Sequence, residues 1–163
     1  MQITNIIKAL QLFLPLFIQL NKKELEDREG IVFAIQKRSK TGKSVFLQKE
    51  IKVVTLGNLS EEKAAEKRTF AVEKIRRLIY SQKYNKKSGG DISSFESENV
   101  SEKKFGGAIR TDNYFMSASG FPPHLDQKLL LELALMVNEL SFHSAAKIDL
   151  VTWSEQKKWK KIS

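Results

Sequence analysis

At 163 residues with 41% hydrophobic content, the chain is long enough for one domain with a real core. Cysteine is absent, which excludes disulfide scaffolds, thiolate zinc sites, iron–sulfur clusters and cysteine nucleophiles, and fits a cytoplasmic protein. The net charge of +9 favours acidic partners (nucleic acid, anionic lipid or an acidic protein), while its spread along the chain also serves solubility.

Residues Ala9 to Leu20 are apolar except for Gln11 and Gln19, with Pro15 in the middle. The run is shorter than the roughly 20 residues that a membrane span requires. Lys8 is followed by no small-residue cleavage pattern. The segment therefore predicts a buried first helix, kinked or started at Pro15, and no transmembrane segment. Attachment to a membrane surface is the alternative.

After Gly30, Ile31-Val32-Phe33-Ala34-Ile35 is a β-type run that ends in the basic stretch Lys37-Arg38-Ser39-Lys40. Thr41-Gly42-Lys43 reads as a turn. Apolar residues resume through Val45, Leu47, Ile51, Val53 and Val54, giving one long strand or two short ones and suggesting antiparallel pairing. Asn58 or Ser60 then caps a helix whose first turn carries Glu61 and Glu62, suited to the positive end of the dipole. Ala64, Ala65, Ala71, Val72, Ile75, Leu78 and Ile79 form its apolar stripe to about Tyr80. Lys63, Glu66, Lys67, Glu73, Lys74 and Arg77 are assigned largely to the opposite face.

Ser81 to Lys104 is rich in lysine, serine and glutamate and holds few sizeable apolar residues, so a mobile loop or a functional lid is predicted over 81–104. Phe105 to Ile109 and Tyr114 to Ser119 read as strands joined by a turn at Thr111-Asp112-Asn113. Gly120-Phe121-Pro122-Pro123 breaks the second strand. Leu125 to Leu140 is a helix apolar nearly all round, which places it centrally or at a subunit contact, with Glu132 on its exposed stripe. A basic C-terminal tail carries Trp153, Trp159 and four lysines between 157 and 161. Consecutive strand pairs with intervening helices predict a single α+β domain over 1–163, an antiparallel sheet with helices packed against it.

Two stretches resemble the GlcG/HbpS-like family of haem-binding or haem-degrading domains. Ala65, Lys67, Thr69 and Ala71 look like that family's A-x-K-A-x-T-A helix segment. Gly106-Gly107-Ala108-Ile109, Ser117-Ala118-Ser119-Gly120 and Asp126 are similar to its G-G-x-P-I strand, its V-S-G strand end and its acidic helix start. The resemblance covers about residues 60–136. Arg68 stands where the family has alanine, Ala108 replaces proline, and the polar segment before Gly106 looks inserted. The resemblance implies a profilin-like fold, homo-oligomers, and a small ligand with haem as the default.

Gly106 and Gly107, with Ser119 and Gly120, would flank one end of the hairpin, where glycine admits close approach of a ligand to backbone or simply serves turn geometry. His124 and His143 are the only histidines. His124 follows two prolines at a helix start and is the candidate imidazole beside that site. Asp126 is a first-turn helix residue suited to the dipole. No nucleophile elbow, phosphate loop, dinucleotide fingerprint or paired carboxylates appear, so an enzyme is not supported. The alternative to ligand binding is an interaction scaffold whose basic clusters meet an acidic protein or nucleic acid.

Overall fold

The computed structural model describes residues 2–38, 51–84 and 90–160, with 151 and 153–160 described by backbone alone. The chain runs through helix α1 (Ile3–Leu20), the single turn α2 (Lys22–Leu25), strands β1 (Glu29–Lys37) and β2 (Lys52–Asn58), helix α3 (Glu61–Tyr84), strands β3 (Ala108–Arg110) and β4 (Tyr114–Ser119), and helices α4 (Pro123–Met136) and α5 (Phe142–Lys160). This is the α+β arrangement expected. The four strands pair antiparallel in the order β2-β1-β4-β3.

Alternation along β1 gives the sheet two apolar faces. Val32 and Ala34, with Phe115 of β4, pack beneath Ala71, Ile75 and Leu78 of α3. Ile31, Phe33 and Ile35 point the other way, into a core shared with α1, α4 and α5 through Leu10, Phe17, Leu129, Leu133 and Ile148. Because β1 is central, it is buried on both faces over nearly its whole length. The leucine-rich α4 is covered on several sides within one chain: the sheet, α1 and α5 all touch it. Lys128 and Met136 form its exposed line, with the half-buried Glu132 between them.

Several expectations change. Helix α1 passes through Pro15, whose exposed position leaves the Gln11 carbonyl open to water rather than orphaned in the core. Helix α3 extends to Tyr84, so 81–84 belong to it. Within 90–104 the chain forms 3-10 turns at Ser94–Ser97 and Val100–Glu102 rather than an unstructured loop, while 85–89 lie outside the described residues. Ser93 and Glu96 close a capping box. Phe95 and Ser94 are buried. The C-terminal basic tail continues as helix α5 to Lys160. Lys74, assigned to the solvent face of α3, is among the most deeply buried side chains. It sits three residues after Ala71 and four before Leu78, inside the stripe that meets the sheet.

Candidate ligand cleft

The strand register brings three chain ends together. Gly30 at the start of β1 pairs with Gly57 at the end of β2, and Val32 pairs with Ser119 at the end of β4. Gly120 lies directly against the Gly30 carbonyl and the Ile31 backbone, a closeness that a side chain would obstruct. Around this end of the sheet, the first turns of α3 and α4 enclose a cleft of about 550 Å³. Its walls include Phe70, Phe105 and Phe121, and its rim carries Arg28, Lys63 and Lys67 together with Asp27, Glu29 and Glu66.

The floor is an ion pair. Lys74 Nζ lies 3.2 Å from Asp126 Oδ2, and the two side chains are 1% and 2% exposed. Lys74 also donates to the Ala118 carbonyl at 2.6 Å, while the Phe121 N–H donates to Asp126 Oδ1 at 3.1 Å. Burial pushes Lys74 below the usual lysine range, opposed by the Asp126 charge. Burial likewise raises Asp126, opposed first by the Lys74 charge. Both groups are thus driven toward their neutral forms by desolvation and held toward the charged forms by each other.

The walls mix aromatic rings with polar and charged side chains. Phe70 and Phe105 meet edge to face at 5.3 Å between centroids, and Lys67 Nζ sits 5.4 Å from the Phe70 centroid. Lys67 is also 3.2 Å from Glu66. Such a cleft can hold a molecule with a flat apolar body and ionised groups at its edge.

Of the six site residues expected, Ser119, Gly120 and Asp126 line the cleft. Gly107 stands behind its floor, against Asp126 and Lys74. Gly106 is buried beneath the Phe95 ring, its N–H donating to Glu98 Oε1 at 3.0 Å. His124 turns away, with Nε2 at 3.2 Å from Glu24 Oε2 on α2. His143 is exposed on α5. Among the described residues no group of three or more His, Asp or Glu side chains is placed to hold a metal ion. Sequence reading missed Lys74, Phe70 and Phe105, and only Lys74 carried a signal, its position within the apolar stripe of α3.

Of the basic residues proposed for nucleic acid, Lys37, Arg38 and Lys83 are described, and Arg38 is bonded to the carbonyls of Thr111 and Asp112. Lys157, Lys158 and Lys160 are described by backbone alone, while Lys40, Lys43, Lys86, Lys87 and Lys161 lie outside the described residues. No protein-family model matches the chain, and no match was found among curated proteins or solved structures.

Proposed function

We propose that the chain is a small-ligand-binding domain and that the ligand occupies the cleft above Lys74 and Asp126. One observation carries this reading: the Ser119, Gly120 and Asp126 positions of the GlcG/HbpS resemblance converge, with three phenylalanines, on one cleft of about 550 Å³. The resemblance extends the proposal to a profilin-like fold and to a homo-oligomer, and the absence of cysteine extends it to a cytoplasmic location. A flat, largely apolar molecule with carboxylates fits the aromatic walls and the lysine-bearing rim, and haem is one such molecule. The Lys63 and Lys67 ammonium groups would meet its carboxylates while Phe70 and Phe105 meet its ring. Iron ligation through His124 has no support in its orientation toward Glu24.

Titration with hemin, followed by absorbance, and with the anionic aromatic dye 1-anilinonaphthalene-8-sulfonate, followed by fluorescence, tests the reading. Saturable binding weakened by Phe70→Ala and by Lys63→Glu, and unchanged in His124→Ala, is the expected result. A dye signal indifferent to both cleft variants would remove the cleft. Dye binding without any saturable hemin shift would remove haem and leave a different aromatic anion.

A further inference from the structure

We propose that Lys74 captures an anionic aromatic aldehyde as an imine at the floor of the cleft. The inference rests on the ligand cleft assigned above and names the reactive group that its ligand would carry. Four cleft-lining residues share one face of α3: Lys63, Lys67, Phe70 and Lys74 follow one another at spacings of four, three and four. They descend from rim to floor. At a rise of about 1.5 Å per residue, Lys67 and Lys74 stand about 10 Å apart along the helix axis, with Phe70 between them. An aromatic aldehyde that bears a phosphate or carboxylate has the same order of parts. Its anion would meet Lys67 and Lys63, its ring Phe70 and Phe105, and its carbonyl Lys74.

Lys74 is the one buried lysine among the described residues. Attack on a carbonyl needs a neutral amine, and burial shifts Lys74 toward that form, opposed by the Asp126 charge. Among the described residues Nζ bonds to two acceptors, the Ala118 carbonyl and Asp126 Oδ2. One of its three hydrogens is left for a ligand. Asp126 also lines the cleft, so a proton donor and acceptor stands beside the amine.

The step balances within the pair. Transfer of one proton from the Lys74 ammonium to the Asp126 carboxylate gives a neutral amine beside a carboxylic acid. Nζ then gives its electron pair to the carbonyl carbon, and the C=O π electrons move to the oxygen, which takes the proton from Asp126. Asp126 accepts a proton from the new nitrogen cation and returns it to the hydroxyl, which leaves as water as the C=N bond forms. The products are one water and an iminium cation facing the Asp126 carboxylate. The buried carboxylate therefore ends, as it began, beside a cation.

The experiment incubates the full chain with pyridoxal 5′-phosphate, an aldehyde of this class, and reduces the mixture with borohydride. Tandem mass spectrometry of proteolytic peptides then locates the modified residue. An adduct on Lys74 is expected in the parent protein, with its yield falling several-fold in Phe70→Ala and in Lys67→Glu. Mapping on the parent chain avoids dependence on Lys74→Met, whose fold is threatened by the uncompensated Asp126. Adducts confined to exposed lysines, with Lys74 unmodified, would overturn the proposal and leave the pair as a structural tie between α3 and α4. In that case, displacement of 1-anilinonaphthalene-8-sulfonate by the aldehyde would show that the cleft binds its ligand without an imine. Failure of the dye to bind the cleft at all would remove the cleft and this proposal together.

Discussion

Lys74 of α3 and Asp126 of α4 meet across the end of β4, 3.2 Å apart, and neither reaches solvent. Two helices on opposite faces of the sheet are thereby joined through a polar contact beneath the cleft. Gly107 makes room for it, since a Cβ there would lie 2.7 Å from Asp126 Cβ and 3.0 Å from Lys74 Nζ.

Removing one partner should cost far more than removing both. Lys74→Met leaves a buried carboxylate facing no cation, and Asp126→Asn leaves a buried ammonium beside an amide. Each single change should destabilise the fold by about 3–5 kcal/mol, because the remaining charge keeps its desolvation cost. The double variant Lys74→Met/Asp126→Asn should fall well short of the sum. Urea denaturation of the four proteins in a double-mutant cycle measures the coupling, and strict additivity would mean that the pair does not act as a unit.

Burial moves the two pKa values in opposite directions, which gives stability an unusual pH profile. Between the ordinary 3.8 of an aspartate and its raised folded value, the folded chain holds a proton that the unfolded chain has released. Through that window Asp126 makes stability fall as pH rises. Between the lowered folded value of Lys74 and the ordinary 10.5, the unfolded chain holds the extra proton, so stability rises with pH. An exposed ion pair would give the opposite slope in both windows. Subtracting the Lys74→Met profile from that of the parent isolates the alkaline rise, and a difference that stays flat up to pH 10.5 would contradict the assignment.

Much of the architecture was legible because local pattern and final packing agree. The Ile31–Ile35 run, the turn at Thr111–Asn113 and the Leu-rich segment each carry a local signal that the structure keeps. Lys74 was misassigned because residue charge outweighed helical position. Asp126 was placed at the helix start, yet its burial depends on a lysine 52 residues away in sequence, which no local pattern records. The structure of 90–104 is equally nonlocal. Its composition holds few apolar residues, and its order comes from polar contacts to α3 and α4 together with the burial of Phe95. The helical C-terminus was hidden by its lysines, although Ala145 and Ile148 fall on the buried side of α5.

Gly107 should tolerate no side chain. Its φ of +94° is a conformation that L-residues rarely adopt, and the added methyl would press on the Asp126–Lys74 pair. Gly107→Ala is expected to lower stability by about 1–3 kcal/mol from backbone strain, with crowding added. Thermal denaturation reads the loss. Retention of the parent midpoint would mean that the strand entry shifts freely to accommodate the methyl.

Arg77 should act as the latch that holds the segment before β3 onto α3. One guanidinium nitrogen donates to the Ser94 carbonyl at 3.0 Å, the Ser97 carbonyl at 2.9 Å and Ser97 Oγ at 3.1 Å. The other terminal nitrogen bonds the Phe105 carbonyl, while Nε pairs with Glu73 at 2.7 Å. Three backbone carbonyls thus converge on one side chain whose planar fork a lysine cannot reproduce. Phe105 is also a wall of the cleft, so release of this segment should loosen the ligand site. Arg77→Lys is expected to speed amide exchange across 94–105 and tryptic cleavage at Lys103 and Lys104, leaving exchange in the central strand β1 unchanged. Equal acceleration in β1 would instead identify Arg77 as a support of the whole fold, and no acceleration in either would show that Phe95 and the Ser93–Gln127 contact hold the segment without it.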